Sequence, residues 1–441
     1  MNRKHLLTAF TFWFFLSPVW GQNTQFSKLS QFLDSLENHE KFMGVLSITQ
    51  NDQVLFQKAV GWADQEREIP LTLDTKLRIG SITKMFTTVL VFQAIEEKKL
   101  SLDQSLADFY PEIQHADKIT ISQLLSHRSG IFNFTNRLDY PIYRTKVHQE
   151  SQLLEMMKEG GSIFTPDSKA DYSNSNFVLL TWILERVYQK TYPQLLEERI
   201  IQPLNLKATR IFDKIDPENG EARSYLYNGK WELDLEADPS VPLGAGALES
   251  TVGDLSIFIS ALFEGRLVSS ESLELMKEIK EGYGRGMFSF PYYERRSYGH
   301  TGGIDGFRSF LAYFPEDKVS LAVLSNGMNY NNNDILLASL NSLFGREWEL
   351  PDFTEIQISE ELIGKYVGTY SSTQIPMLLT VENKGGKVAV QLTGQPQSVL
   401  EASSISTFEL KSVGATFTFD PEKNQVTLKQ GPATILFSKK Q

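Results

Sequence analysis

Two strand-rich stretches lie far apart in this chain, and they constrain its fold more than any other feature. Residues 43–61 read MGVLSITQNDQVLFQKAVG, and residues 298–327 read YGHTGGIDGFRSFLAYFPEDKVSLAVLSNG. Each has the pattern of a hairpin, the first turning at Asn51-Asp52 and the second at Pro315-Glu316-Asp317. The residues between them are mainly helical in pattern, broken by long polar loops such as 131–150. The clearest helices are ISQLLSH from Ile121, SNFVLLTWILERVYQ from Ser175 and DLSIFISALFEG from Asp254. FSKLSQFLDSLENHE, from Phe26, precedes the first hairpin with helical spacing of Phe26, Leu29, Phe32, Leu33 and Leu36, and DILLASLNSLFG follows the second. Strands at both ends with helices between predict one α/β (α+β) unit, its sheet completed by distant parts of the chain.

The pattern changes at REWELPDFTEIQIS, 346–359. Beyond it the chain is all short strands, with LLTVENKGGKVAVQL and TFTFDPEKNQVTLKQ reading as hairpins. The expected division is a leader over 1–21, an α/β domain over 22–350 and a small antiparallel β-domain, a barrel, over 360–441. The leader has Arg3 and Lys4 ahead of the apolar LLTAFTFWFFLSPVWG, which predicts a secretory signal peptide cleaved after Gly21. An uncleaved anchor is the competing reading, although the run is short for a span of about 20 residues. Export to the periplasm or medium is the expectation, with no stable membrane span after cleavage.

Charge and composition narrow the chemistry. The chain of 441 residues carries a formal charge of −11 and no basic block, which argues against nucleic acid or an anionic membrane as partner. It has no cysteine, which excludes disulfides, thiol nucleophiles, cysteine metal sites and lipid attachment at a cysteine. It has no Gly-x-Ser-x-Gly elbow, His-Glu-x-x-His helix or phosphate-binding loop. The histidines at 39, 115, 127 and 148 are not spaced as a metal site and read as surface or loop residues.

Three short motifs remain. In RIGSITKMF, Ser81 stands where a helix N-cap would, yet its companion three residues on is Lys84 rather than Glu or Gln. A lysine at the positive end of a helix, partly buried, has its charged form disfavoured and can accept the proton of a serine on the same face. A plain capped helix with a surface lysine is the bland alternative. In DYSNSNF, Tyr172 can relay protons and Asn174 can hold a substrate carbonyl, or Asn174 or Ser175 can simply cap the next helix. In GHTGGIDGF, the glycines let a strand edge approach a ligand, Thr301 offers a hydroxyl and His300 a proton carrier or cation. Taken alone, that stretch reads more readily as a glycine-rich hairpin with a surface histidine.

Ser-x-x-Lys, Tyr-x-Asn and His-Thr-Gly in this order resemble the penicillin-recognising serine hydrolases, which include class C β-lactamases, D-alanyl-D-alanine carboxypeptidases and related esterases. The likeness runs from about residue 40 to 345 and includes GWADQEREIPLTLDTKLRIGSITK, ITISQLLSHRSGI, IIQPLNLKATRIF and GAGALESTVGDLSIF. It implies an antiparallel sheet flanked by helices with an all-helical subdomain, and an acyl-enzyme hydrolase of amides or esters that needs no cofactor. Ser81 is then the nucleophile, Lys84 its base and Tyr172 the acid/base. Asn174, His300, Thr301 and Gly302 bind substrate, and the backbone N–H groups of Ser81 and Gly303 form the oxyanion hole. The tail, with LIGKYVGTY, resembles the lipocalin-like domain of some relatives. Histidine at 300 departs from the lysine of class C β-lactamases, which favours peptidase or esterase relatives. Asp167 stands where relatives often have glycine. A small molecule or peptide, such as a peptidoglycan fragment, is the expected substrate. The alternatives are a non-catalytic binder of cell-wall peptides that kept the pocket, and a β-domain that itself carries the ligand.

Overall fold

The computed structural model describes residues 25–353, 356–395 and 397–440. The expected signal peptide over 1–21 lies outside the described residues.

Helix α1 (Ser27–Asn38) leads into β1 (Phe42–Gln50) and β2 (Gln53–Val60), joined through Asn51 and Asp52, both at positive φ. That is the geometry of a two-residue hairpin turn, and asparagine and aspartate tolerate it. Helices α2 (Thr83–Glu96), α3 (Ile121–Leu125), α4 (Asn174–Tyr188) and α5 (Val252–Phe263) come from the middle of the chain. Strands β3 (Phe288–Tyr292), β4 (Arg295–Ile304), β5 (Phe307–Phe314) and β6 (Val319–Met328) follow, then α6 (Asn332–Leu343). The sheet order is β3-β4-β5-β6-β1-β2, antiparallel at every step. The last strand of the late group thus pairs with the first strand of the early hairpin, closing the sheet across most of the chain.

Side-chain alternation explains why β1, β5 and β6 are buried nearly throughout. Val45, Leu311, Ala322 and Leu324 join one core with α2, α4 and α5, whereas Leu46, Ile48, Phe310, Leu321 and Val323 join another beneath α1 and α6. The polar loop expected at 131–150 is more ordered than that pattern suggests. It contains a 3₁₀ turn at Phe134–Asn136 and a short helix at Tyr140–Tyr143, anchored by buried Phe134 and Tyr143.

Beyond helix α7 (Glu360–Tyr366), nine strands form a second antiparallel sheet. These are β7 (Gly368–Ser371), β8 (Leu378–Lys384), β9 (Lys387–Leu392), β10 (Ser398–Val399), β11 (Glu401–Ala402), β12 (Thr407–Leu410), β13 (Ala415–Asp420), β14 (Gln425–Gln430) and β15 (Ala433–Lys439). Its order, β10-β9-β8-β7-β15-β14-β13-β12-β11, ends on two strands separated in sequence only by Leu400, so the barrel is nearly closed. Its interior is filled by Leu379, Val381, Phe408, Phe417, Phe419, Val426 and Phe437. No helix among the described residues is long and apolar enough to cross a membrane.

Candidate active site

Gly80 to Ile82 form a 3₁₀ turn that runs into α2, with no side-chain cap on either segment. Ser81 is therefore not the N-cap that its position suggests, and its hydroxyl is free for other partners. The turn lies directly on β4. A Cβ on Gly80, whose φ is +50°, would meet the Gly303 nitrogen at 2.8 Å, and one on Gly302 would meet the Ile79 carbonyl oxygen at 2.1 Å. Only glycine permits that approach, and it brings the backbone of Ser81 beside that of Gly303. Ser309 Oγ, donating to the Ile79 carbonyl at 2.8 Å, fastens the turn from β5.

Lys84 is completely buried in the first turn of α2. Its Nζ lies 2.9 Å from Ser81 Oγ, 2.8 Å from Asn174 Oδ1 and 2.6 Å from the Ala245 carbonyl oxygen. Burial holds its pKa well below the ordinary lysine value. A neutral amine has two N–H groups and one lone pair. When the amine is neutral, the two carbonyl oxygens, which accept only, take its N–H groups, and the lone pair is left for the Ser81 hydroxyl. The Tyr172 hydroxyl donates to Ser81 Oγ at 2.7 Å from the other side. Burial raises the phenol's pKa, so it is protonated at neutral pH.

The loops that hold these groups come from distant segments. Asn174 opens α4 at its first helical position. Its N–H donates to Asn133 Oδ1 at 3.1 Å and its Nδ2 to Thr135 Oγ1 at 3.0 Å, which turns the amide oxygen toward Lys84. Asp167 adopts a left-handed φ of +64°, which accounts for glycine being acceptable there, and its carboxylate pairs with Arg128 at 2.5 Å. The Asp167 N–H donates to the Arg128 carbonyl at 2.8 Å, tying the loop before Tyr172 to the segment after α3.

The structure gathers Ser81, Lys84, Tyr172 and Asn174 through one chain of hydrogen bonds, with β4 carrying His300 to Gly303 alongside. His300 is not the surface histidine of the bland alternative. It is 2% exposed, its Nδ1 sits against the Thr301 carbonyl, and its ring stands 4.5 Å from Phe288. Burial lowers its pKa to about 3, so it is neutral at physiological pH. Thr301 is exposed on the same strand. His127, read from sequence as a surface or loop residue, lies in a loop but is 2% exposed, its ring against that of Tyr172. The sequence reading also missed Asn133, Thr135 and the Ala245 carbonyl.

An antiparallel sheet flanked by helices, with a Ser-Lys-Tyr cluster where the sheet meets the helical part, is the arrangement of a penicillin-recognising serine hydrolase. The model of the family described as Beta-lactamase matches residues 30–343, and the chain belongs to this family of serine hydrolases. Penicillin-binding protein 4* of Bacillus subtilis is 24% identical over 428 residues, covering 89% of this chain and 93% of that protein. Teichoic acid D-alanine hydrolase of Staphylococcus aureus is 24% identical over 333 residues, covering 72% of this chain and 79% of that one. Among solved structures, D-amino acid amidase from Ochrobactrum anthropi superposes with a TM-score of 0.64 at 24% identity, covering 72% of this chain and 99% of the amidase.

Proposed function

We propose that the protein hydrolyses an amide or ester of a small peptide or D-aminoacyl compound through an acyl-enzyme on Ser81. The observation that carries this reading is Ser81 Oγ held between Lys84 Nζ at 2.9 Å and the Tyr172 hydroxyl at 2.7 Å. Ser81 Oγ attacks the substrate carbonyl as its proton passes to the Lys84 lone pair, and the backbone N–H groups of Ser81 and Gly303 receive the oxyanion. On collapse the bond to the leaving atom breaks, and that atom takes the Tyr172 proton. Tyr172 then regains one from Lys84, which restores the neutral amine. Water adds to the acyl-enzyme with its proton going to Lys84, and Ser81 departs with that proton. Asn174, Thr301 and Gly302 position the substrate, and His300 lines the pocket as a neutral ring.

The D-aminoacyl class draws support from the names of two similar proteins, the teichoic acid D-alanine hydrolase and the D-amino acid amidase. A pocket with neutral histidine at the Lys-Thr-Gly position lacks the fixed cation that suits an efficient β-lactamase. The same reading places the enzyme outside the cytoplasm, from Arg3, Lys4 and the apolar run that follows. It takes residues 22–350 as the hydrolase domain and 360–441 as the lipocalin-like domain. A non-catalytic binder would have no need of a buried lysine with a lowered pKa beside a serine hydroxyl.

A panel of nitrocefin, a D-Ala-D-Ala peptide, D-phenylalanine amide and a p-nitrophenyl ester, with mass spectrometry of Ser81, tests the mechanism. An adduct on Ser81 and turnover of the amide or ester are expected. An unmodified Ser81 with every probe, or full activity in Ser81→Ala, would sink it. kcat/KM should rise with pH along a limb set by Lys84, below the ordinary lysine value of about 10.4.

A further inference from the structure

His127 follows α3 in a left-handed conformation, φ +56°, and holds the chain on both sides of Tyr172. Its carbonyl oxygen accepts the N–H of Asp171 at 2.9 Å, and its ring Nδ1 accepts the N–H of Ser173 at 3.1 Å. Between those two bonds, the Tyr172 ring lies 4.4 Å from the imidazole, tilted by 31°. Phe177 at 5.4 Å and Tyr283 at 5.3 Å pack around the same imidazole, so its position is fixed from several directions. An imidazole nitrogen that accepts a backbone N–H carries no proton, and the ring is therefore neutral with its proton on Nε2.

The geometry points to His127 as the positioning residue of Tyr172, clamping the backbone at 171 and 173 and supporting the ring face so that the phenol aims at Ser81 Oγ. His127 does not touch Ser81; it acts through Tyr172. The inference rests on the reading of Tyr172 as the proton donor to the leaving atom. A phenol free to swing by about an ångström loses much of its value as an acid, because proton transfer needs heavy atoms within about 2.6–3.2 Å. The residue type suits the place. Histidine enters left-handed backbone more readily than most side chains, and it supplies a ring face and an acceptor at once.

Two variants separate the clamp from general structure. His127→Gly keeps the left-handed backbone and the carbonyl but removes ring and acceptor. His127→Asn also tolerates that backbone and returns an acceptor to the Ser173 N–H. With D-phenylalanine amide, whose leaving nitrogen must be protonated, His127→Gly should lower kcat about 10²-fold with KM within about threefold. With p-nitrophenyl acetate, whose nitrophenolate leaves without a proton, acylation should fall by less than about tenfold. His127→Asn should recover at least about tenfold on the amide. By hydrogen exchange, the Ser173 amide should exchange faster in His127→Gly and regain protection in His127→Asn, while Asp171 stays unchanged.

Equal losses on the two substrates, an asparagine variant no better than glycine, or a glycine variant with full amide turnover would each overturn the proposal. If Ser81 of the unsubstituted enzyme takes no acyl group from any probe, the functional reading falls instead. The Ser173 exchange then still decides the clamp.

Discussion

The serine-lysine region and the C-terminal barrel are built on opposite rules. Around Ser81, charged and titratable groups are deeply buried: Lys84, Arg78, His127 and His300 are each at most 2% exposed. Lys84, Arg78 and His127 are held by hydrogen bonds to other segments, and His300 sits against the neighbouring Thr301 carbonyl. Lys84, His127 and His300 have lowered pKa values. Beyond Ser342 no buried residue among those described is charged, and the barrel interior is aliphatic and aromatic. A region that buries charge carries a desolvation cost that only partners or function offset, whereas a hydrophobic barrel needs neither. The contrast sets the buried titratable groups of the first region apart from the apolar packing of the second. The barrel meets the rest of the chain through polar contacts such as the Lys41–Glu401 ion pair and the bond from Lys384 Nζ to Asn228 Oδ1 at 3.0 Å.

Substitutions in the two regions should therefore separate activity from stability. The largest effect is expected for Ser81→Ala, with kcat/KM lowered about 10⁴-fold or more and the melting temperature nearly unchanged. Next comes Arg78, buried at 2% exposure just before the nucleophile turn. Its Nη1 bonds Asp305 Oδ2 at 2.7 Å and the Ala237 carbonyl at 3.1 Å, and its guanidinium stacks 3.9 Å from the Phe212 ring. Asp305 sits in the β4–β5 turn, so the pair links the Ser81 side of the cleft to the Gly303 side. Arg78→Met leaves a buried carboxylate short of one partner and should cost about 3–5 kcal/mol in urea unfolding, with acylation slowed as well. Phe437→Ala in the barrel should cost about 3 kcal/mol through the cavity it leaves. That loss should leave the acylation rate of Ser81 unchanged. A matching fall in acylation would break the contrast and make the barrel part of the working site.

The two regions also differ in how much the sequence reveals. The barrel's strands follow the alternation of LTVENKGGKVAV and TFTFDPEKNQVTL, because one side of each strand faces a dry interior. Its near-closure across Leu400 is a long-range pairing that no local window contains. At the site, Ser81 and Lys84 are three residues apart, so their meeting is a local property of the turn. The roles of Tyr172 and Asn174 came from the order of motifs. His127 and Tyr172 are brought together by loops from separate helices, and nothing in the stretch LLSHRSG reports that contact. The protonation state of His300 is hidden for a similar reason. His-Thr-Gly marks the strand, but the charge on the imidazole depends on its burial against Phe288, which exists only in the folded chain.

That charge gives the smallest expected effect. With an ordinary pKa near 6.5 and a folded value of about 3, His300 takes up a proton on unfolding across the interval between them. The unfolded chain then binds more protons than the native one, so stability rises with pH through this window and falls on acidification from 6.5 toward 3. The slope from this one group is at most about 1.4 kcal/mol per pH unit, and it vanishes above 6.5. Burial lowers the His127 pKa as well, so the slope should shrink rather than disappear when one ring is removed. Urea unfolding of the unsubstituted protein and of His300→Gln from pH 4 to pH 8 reads this directly. The stability difference between them should be flat above pH 6.5 and should shift below it in favour of the glutamine variant. A histidine that served as the substrate's cation would give the opposite sign, because a raised folded pKa adds stability on acidification, and the site would then belong with the cationic pockets of β-lactamases.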